Sequence, residues 1–217
     1  GFQYLFESGD EGQTWKRISG DLSYNNRDKM GRTPYAINHQ AITAIDESPL
    51  EKDVLYAGTD DGRVWVRKGS AAEWTTIMNG IPQNASVSRI VASAFDAGTV
   101  YLTLSNRRED DHTCYVYRST DYGTTWTSIA ANLPASPVNV VREDPRNKNI
   151  LYCGTDMGVY ISTDNGNSWQ SLQGNLPKAV SVQDLFVHPR DYTLVVATYG
   201  RGVWAVEEMK QENLHFR

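Results

Sequence analysis

The sequence predicts an all-β fold, a partial β-propeller of about four and a half blades, each built from four antiparallel strands. Three observations predict it: a repeat of about 44 to 48 residues, short runs of strand-forming residues between turn residues, and a motif that occurs three times. The 217 residues include 12 tyrosines, 6 tryptophans and 17 glycines, which suits aromatic-packed sheets joined by tight turns.

The repeat is clearest around a Gly-Thr-Asp segment. Residues 151–160 resemble residues 55–62 and, more distantly, residues 195–204. Gly158 and Gly202 lie 44 positions apart, as do Pro145 and Pro189. A period of this length, with β-runs and no helical periodicity before the last ten residues, is typical of propeller blades.

The period divides the chain into a half-blade, four blades and a tail. The predicted bounds are 2–19 for the half-blade, 37–79, 87–131, 138–174 and 180–208 for the blades, and 209–217 for the tail. Within one blade the predicted strands are 138–142, 150–154, 158–162 and 170–172. Both end units supply a third strand and neither is complete, so we expect the chain to pair its edges with the rest of its own precursor or with a second copy.

The recurring motif reads Ser-x-Asp-x-Gly-x-Thr/Ser-Trp, and its residues are predicted to be structural. The aspartate accepts backbone N–H groups across the turn, the glycine supplies a positive φ, and the tryptophan packs beneath the hairpin. The three copies comprise Ser8, Asp10, Gly12 and Trp15, then Ser119, Asp121, Gly123 and Trp126, then Ser162, Asp164, Gly166 and Trp169. A fourth copy keeps only Trp74, so its turn must be held differently.

These motifs resemble the BNR/Asp-box repeats of sialidases, sortilin-like receptors and xyloglucanase-type glycoside hydrolases. Residues 132–169 and 195–208 are similar to the C-terminal blades of large bacterial secreted proteins with a sortilin-like propeller, and the likeness covers residues 2–208. The resemblance implies Asp boxes on the outer rim, a glycan or protein ligand, and an extracellular or periplasmic location. The chain itself starts without the pattern of a signal peptide.

Ligand contacts are expected on the propeller face formed by the loops that enter the innermost strands and those that join the second and third strands. The first set of loops is predicted to carry Arg32, Tyr35, His39, Arg89, Asn139 and Asp184. The second set carries Asp60, Asp61, residues 107–112, Asp156, Met157, Tyr199 and Arg201. From these we predict the ligand-binding residues Arg32, Tyr35, His39, Arg107, Arg108, His112, Tyr199 and Arg201.

Glycoside hydrolysis requires two carboxylates about 5 to 9.5 Å apart. The candidates are Asp60, Asp156, Glu109, Asp110 and Asp111. Asp60 and Asp156 occupy equivalent positions in the repeat, which favours a structural role in a Thr-Asp-x-Gly turn. Sialidase activity is disfavoured because the arginine-bearing Phe/Tyr-Arg-Ile-Pro segment of that family is absent.

No metal or cofactor is predicted. Asp110, Asp111 and His112 carry suitable donor atoms, but adjacent side chains rarely point at one ion. A net charge of −5 argues against nucleic acid as a partner, and no apolar run approaches the length of a membrane-spanning helix. Cys114 and Cys153 are expected to be small buried thiols, with an incidental disulfide as the alternative.

The sequence thus favours a portion of a larger propeller protein that binds a glycan or protein on its channel face. Two alternatives stay open. One is a glycoside hydrolase whose catalytic carboxylates lie partly on blades outside this chain, and the other is a structural scaffold in a secreted assembly.

Overall fold

The computed structural model describes residues 3–26, 40–172, 174 and 176–206, and it confirms the predicted all-β fold. These residues form 17 strands and one 3₁₀ turn at Arg107–Glu109. The strands are β1 (Phe6–Glu7), β2 (Lys16–Arg17), β3 (Ile42–Glu47), β4 (Val54–Thr59), β5 (Val64–Lys68), β6 (Thr75–Thr76), β7 (Ser86–Ala92), β8 (Val100–Asn106), β9 (Asp111–Ser119), β10 (Thr127–Ser128), β11 (Val138–Asp144), β12 (Asn147–Thr155), β13 (Gly158–Ser162), β14 (Gln170–Ser171), β15 (Val182–Val187), β16 (Leu194–Thr198) and β17 (Val203–Val206).

Each repeat unit is a separate antiparallel sheet whose strands lie in chain order. We name the sheets blade 1 (β3–β6), blade 2 (β7–β10), blade 3 (β11–β14), blade 4 (β15–β17) and the N-terminal half-blade (β1–β2). The first strand of each blade is its inner strand, since β3 contacts β7, β7 contacts β11, and β11 contacts β15. The described chain is therefore a partial propeller.

Every inner strand has a β-bulge near its start, and three residues that were predicted to lie in loops are found in these strands. Arg89, Asn139 and Asp184 were expected in the loops that enter the blades, but they lie in β7, β11 and β15. Pairing with the second strand continues past a register shift at this point, for example between Val138 and Val140. Because a bulge adds a residue without ending the ladder, these three positions belong to the inner strands and not to the loops before them.

The bulge residue of each inner strand joins its blade to the next one. Thr43 Oγ1 donates to the carbonyl of Val87 at 2.7 Å, and Ser88 Oγ donates to the carbonyl of Val138 at 2.7 Å. Asn139 Nδ2 donates to the carbonyl of Val182 at 2.9 Å. The same position of the repeat thus supplies a polar link across each of the three interfaces between blades 1 to 4.

The hydrophobic core lies between blades and forms three layers. One layer packs blade 1 on blade 2, a second packs blade 2 on blade 3, and a third packs blade 3 on blade 4. Glycines allow the closest approach. A Cβ on Gly58 would lie 2.3 Å from Val87, and a Cβ on Gly154 would lie 2.7 Å from Val182, both on the next blade. Side chains at these two positions would push the second strand of one blade away from the inner strand of the next.

The Asp boxes are closed turns with one hydrogen-bond pattern. In blade 2, Ser119 Oγ accepts the N–H of Gly123 at 2.8 Å, and Asp121 accepts the N–H of Thr125 at 2.9 Å. The Thr125 hydroxyl donates to the second carboxylate oxygen at 2.7 Å. The boxes of the half-blade and blade 3 repeat these bonds, and the glycine in each box has φ of +86°.

The box tryptophan bonds the preceding blade as well as packing under its own hairpin. Trp126 Nε1 donates to the carbonyl of Ile77, and Trp169 Nε1 donates to the carbonyl of Ile129, each at 2.7 Å. Both rings are buried. Trp15 of the half-blade is 63% exposed and donates to Gly12 in its own turn. Its ring therefore departs from the predicted packing, since no described residue occupies the place of a preceding blade.

We expect Asp121→Ala to lower the melting temperature by about 2–8 °C. The substitution leaves the Thr125 N–H without its acceptor and removes the acceptor of two hydroxyls. We expect the free energy of unfolding to fall by on the order of 1–2 kcal/mol for a turn at the surface of a chain this size. Differential scanning calorimetry measures the shift, with Glu7→Ala, an exposed carboxylate on β1 outside the Asp-box motif, as the control. An unchanged melting temperature would contradict the structural role of the carboxylate.

The Asp boxes should also give the protein an acid-sensitive component of stability. Hydrogen bonds from Thr14 and Ser8 lower the pKa of Asp10 to about 2, and Asp121 and Asp164 are shifted in the same direction by equivalent bonds. A carboxylate whose pKa is depressed in the folded state contributes fully above its unfolded pKa and loses that contribution as the pH falls through the folded value. The melting-temperature difference between wild type and the triple Asp→Ala variant of these residues should therefore shrink between about pH 4 and pH 2. A difference that stays constant over this range would contradict the assignment.

Candidate functional site

The 3₁₀ turn of blade 2 ties together the loops of three blades on one face. Arg107 lies 3.0 Å from Asp156 of blade 3, and Arg108 lies 3.4 Å from Asp60 of blade 1. Two predicted ligand-binding arginines are thus paired with two of the predicted catalytic carboxylates. The turn acts as a bridge over the inner strands.

The carboxylate oxygens of Asp60 and Asp61 are all engaged in hydrogen bonds or an ion pair within the fold. One oxygen of Asp60 accepts the backbone N–H groups of Gln40 and Ala41, while the other faces Arg108. Asp61 accepts the Thr59 hydroxyl and, at 2.7 Å, the N–H of Tyr24. Both side chains are buried. This arrangement holds the β4–β5 turn against the segments on either side of it, and it leaves neither carboxylate poised for proton transfer.

Asp156 is engaged in the same way. Its first oxygen accepts the Ser181 hydroxyl at 2.6 Å and the Asn139 amide at 2.9 Å, and its second accepts Arg107. Burial raises the pKa of Asp156, but the bonds from Ser181 and Asn139 and the charge of Arg107 outweigh burial, so the pKa lies below its ordinary value. A general acid in a glycosidase needs the opposite shift.

The other acidic candidates surround the bridge. Glu109 and Asp110 are exposed at the end of the 3₁₀ turn, and His112 Nε2 lies 3.3 Å from Asp110. Asp111 begins β9 rather than lying in a loop, and bonds from Thr113 and Tyr115 lower its pKa. Among the described residues no group of three or more His, Cys, Asp or Glu side chains is placed to hold a metal ion.

A polar groove lies beside the bridge, above blades 1 and 2. It encloses a cavity of about 330 Å³ lined by Asp60, Asp61, Gln83, Asn84, Ser86, Ser105, Asn106, Arg108 and Glu109. Within the described part of the chain, no hydrogen bond occupies the side chains of Gln83, Asn84, Ser86 or Ser105. Four amide or hydroxyl groups are therefore free to meet a ligand in one concave surface.

An adjoining cavity of about 400 Å³ shares Asp61 and Asn84 with this groove and extends it toward Tyr24. The guanidinium of Arg63 lies 5.1 Å from the Tyr24 ring and 4.1 Å from the Trp65 ring, so it is sandwiched between them. This contact holds Tyr24 in place with part of its ring exposed. The buried Gln40 Oε1 also lines this cavity and has no hydrogen-bond partner.

Three described residues of the predicted ligand face lie apart from the groove, on blades 3 and 4. Tyr199 and Arg201 are exposed in the β16–β17 turn of blade 4. Met157 is exposed in the β12–β13 turn of blade 3. Arg32, Tyr35 and His39 lie outside the described residues.

Charged side chains on the inner strands form a second cluster. Asp184 lies 3.0 Å from both Arg89 and Arg142, which come from blades 2 and 3. Arg142 also donates through Nε to the carbonyl of Leu185 at 2.7 Å. Burial raises the pKa of Asp46 on β3, which accepts the N–H of Ala92. These contacts link the inner strands of adjacent blades and, through Arg89 and Asp184, those of blades 2 and 4. Together with the hydrogen bonds of the bulge residues they form a polar seam between the inner strands.

Sequence reasoning missed the free amides Gln83 and Asn84, the buried Gln40 and the stacked Arg63. The first two precede an inner strand, and that position was the signal that could have identified them. The stacking of Arg63 between Tyr24 and Trp65 joins residues up to about 40 positions apart, which the repeat does not reveal. Cys114 and Cys153 are free thiols, and burial raises both pKa values. In the described residues no helix has the length and apolarity needed to cross a membrane.

Comparison with known proteins identifies relatives of two kinds. A family model described as Sortilin-Vps10 (sortilin, neurotensin receptor 3) matches residues 114–215. A xyloglucanase from Hypocrea jecorina (strain QM6a) is 29% identical over 131 residues, which is 54% of this chain and 16% of that protein.

Solved structures show the same fold at greater sequence distance. An ancestral GH74 enzyme superimposes with a TM-score of 0.72 at 17% identity, over 100% of this chain and 28% of that chain. The GH74 xyloglucanase from Xanthomonas campestris gives a TM-score of 0.64 at 15% identity, over 93% of this chain and 33% of that chain. The chain spans a third or less of the length of these relatives. Its repeats, Asp boxes and blade packing make the chain a partial propeller, and these matches show that it is similar to sortilin-like and xyloglucanase-type propellers.

Proposed function

We propose that this chain is a ligand-binding portion of a larger propeller protein and that the polar groove above blades 1 and 2 binds a neutral glycan. The observation that carries the proposal is the set of four unengaged polar side chains, Gln83, Asn84, Ser86 and Ser105, around one cavity. Sugar hydroxyls both donate and accept hydrogen bonds, and amide and hydroxyl side chains match both roles.

The charge of the groove supports a neutral ligand. Asp60, Asp61 and Glu109 place three carboxylates around it against the single guanidinium of Arg108. An anionic ligand such as a nucleic acid or a sulfated glycan would be repelled. The partly exposed ring of Tyr24 in the adjoining cavity offers an apolar surface on which a sugar ring can stack.

Xyloglucan is the first ligand to test. The relatives from Hypocrea jecorina and Xanthomonas campestris are named xyloglucanases. Xyloglucan is an uncharged polysaccharide rich in hydroxyl groups, which is the ligand chemistry that the groove favours. An exported location, extracellular or periplasmic, agrees with such a ligand and is part of this proposal.

A second candidate is glycoside hydrolysis, which the similarity to xyloglucanases favours. The carboxylates Asp60, Asp61 and Asp156 are occupied by hydrogen bonds and arginines, so in a hydrolase the catalytic acids would come from other residues, such as the exposed Glu109 in the groove, or from polypeptide outside this chain. The larger protein would then be the enzyme and this groove one of its binding surfaces.

We expect Gln83→Ala/Ser105→Ala to weaken the binding of xyloglucan oligosaccharides by about tenfold in isothermal titration calorimetry. Each side chain can supply a hydrogen bond worth roughly 0.5–1.5 kcal/mol, and 1.4 kcal/mol corresponds to tenfold in Kd. The matched control is Gln170→Ala/Ser171→Ala, the same residue types on the exposed strand β14.

Equal weakening by the two double variants would remove the groove as the binding site. Absence of heat with xyloglucan, cellulose and mannan oligosaccharides alike would contradict the proposed function as a whole. Melting temperatures of all variants, measured in parallel, separate lost binding from lost folding.

A hydrolysis assay distinguishes the two candidate functions. Because Asp60, Asp61 and Asp156 are engaged, we expect the 217-residue protein to bind xyloglucan without releasing reducing ends. Release of reducing ends that Asp156→Asn abolishes would show that catalysis resides in this chain and would contradict our assignment of Asp156.

A further inference from the structure

The connection between β5 and β6 of blade 1 reverses the charge that an Asp box carries. When the repeats are aligned on the tryptophan, Arg67 occupies the position of the box serine and Gly69 occupies that of the aspartate. Trp74 still holds this connection against the half-blade, since its Nε1 donates to the carbonyl of Ile18 at 3.0 Å. A carboxylate that accepts hydrogen bonds is therefore missing here, and a guanidinium that can only donate them is present.

Arg67 is buried without an acceptor for its charge. It is 3% exposed, and within the described residues its Nε and Nη2 atoms have no hydrogen-bond partner. The guanidinium carbon lies over the Trp74 ring, 5.7 Å from its centre, and this contact uses the face of the guanidinium and not its N–H groups. Because a guanidinium keeps its charge at neutral pH, burying it without an acceptor is costly.

The unpaired edge of Arg67 is the edge that suits an oxyanion. Nε and Nη2 lie on one side of the guanidinium, and their N–H groups form a fork that binds two oxygens of one carboxylate or phosphate group. Arg146 uses these two atoms to bind both oxygens of Asp144, each at 3.2 Å. Arg142 uses them for the carbonyl of Leu185 and the carboxylate of Asp184. Arg67 presents the same fork with no acceptor from the described chain.

A basic cavity lies at this edge, between β2 of the half-blade and the β5–β6 connection, and we call it the rim cavity. Its volume is about 380 Å³, and its charged lining residues are Lys16, Arg17, Arg67 and Glu73. None of these four side chains forms an ion pair within the described part of the chain. Three cations therefore face one carboxylate, so the lining has the charge to balance a dianion.

The rim cavity also contains backbone donors that the lost motif has released. In blade 2 the N–H groups of Gly123 and Thr125 bond the box serine and aspartate. Their counterparts in blade 1 are the N–H groups of Ala71 and Glu73, which line the rim cavity and donate to no other described residue. An anion bound here has neutral donors beside the guanidinium.

We propose that the rim cavity binds a sulfate or phosphate group, either as the free ion or as the ester of a small molecule. Nε and Nη2 of Arg67 donate to two oxygens of the group, while Lys16 and Arg17 supply the remaining positive charge. Small-molecule sites have volumes of about 300–1,000 Å³, so the cavity has space for the molecule that carries the ester. The proposal does not rest on the glycan-binding function, because the groove and the rim cavity share no lining residue.

The test is an NMR titration of the 217-residue protein with sodium sulfate and, separately, sodium phosphate, with sodium chloride keeping the ionic strength constant. The side-chain Nε–H signal of Arg67 is assigned by its loss in Arg67→Lys. We expect this signal and the backbone N–H signals of Ala71 and Glu73 to shift saturably with either dianion and to stay unchanged with chloride alone. Followed through the backbone signals, Arg67→Gln should weaken Kd by about tenfold or more, and Arg67→Lys, which keeps the charge but lacks the fork, should weaken it less.

A pair of double variants separates the rim cavity from general charge effects. Lys16→Gln/Arg17→Gln should weaken Kd by about fivefold or more, since it removes two of the three cations. The matched control is Lys148→Gln/Arg190→Gln, which removes the same two residue types at exposed positions in blades 3 and 4 and should leave Kd unchanged. If Arg67→Gln does not fold, wild type, Arg67→Lys and these two double variants still decide the question.

Glucose 6-sulfate and glucose 6-phosphate distinguish the two sources of the group. Tighter binding of an ester than of its inorganic ion identifies the ester as the ligand, and equal or weaker binding identifies the free ion; both results support the site. The proposal is overturned if none of the four compounds gives a saturable shift of the Arg67 signal, or if chloride gives the same shift. Equal Kd values for wild type and Arg67→Gln, or equal weakening by the two double variants, also overturn it.

Discussion

The contact between neighbouring inner strands is the constraint on which the rest of this structure depends. Four-stranded sheets are antiparallel ladders that bury little on their own, so each blade gains its core from the blade beside it. Gly58 and Gly154, on the second strands β4 and β12, let these strands approach the inner strand of the next blade closely. The bulge residues of the inner strands donate to a backbone carbonyl of that same neighbouring strand. A buried carbonyl without a hydrogen-bond partner is costly in free energy. The apolar packing between blades and the hydrogen bonds from the bulge residues therefore have to form together.

The contacts between inner strands fix the positions of the loops that form the candidate site. Asp60, Asp61 and Asp156 stand at the ends of second strands, and each is bonded to a segment that precedes an inner strand. Arg107 and Arg108 then bridge blade 2 to both neighbours. Asp60, Asp61, Asp156, Arg107 and Arg108, the charged groups that first suggest catalysis, are therefore used to hold the face together, and the uncharged side chains between them have no such partners within the described residues.

The sequence predicted those parts of the structure that rest on local chemistry or on the repeat. The Asp-box turns could be predicted because their hydrogen bonds lie within eight residues. The strands could be predicted because the repeat period is visible in the amino-acid sequence. The position of Asp184 was wrong because a bulge has no signature in a single strand, and the pairing of Arg107 with Asp156 joins residues 49 positions apart. Whether a polar side chain is bonded depends on such distant partners. The sequence could therefore place Gln83 and Asn84 just before an inner strand, but it could not show that their amides have no hydrogen bond within the described residues.

Blade 1 shows which part of the Asp box the propeller needs. Its turn has lost the serine, aspartate and glycine of the motif, yet Gly69 N–H still bonds the carbonyl of Asp53, as Tyr122 N–H bonds Gly98 in blade 2. Trp74 remains, and its Nε1 donates to the carbonyl of Ile18 in the half-blade. The carboxylate can be replaced because it satisfies donors within one turn, where water or another local bond can serve. The tryptophan is kept because its hydrogen bond crosses to the preceding blade. Blade 1 has therefore kept the contact between blades and lost the hydrogen bonds within the turn.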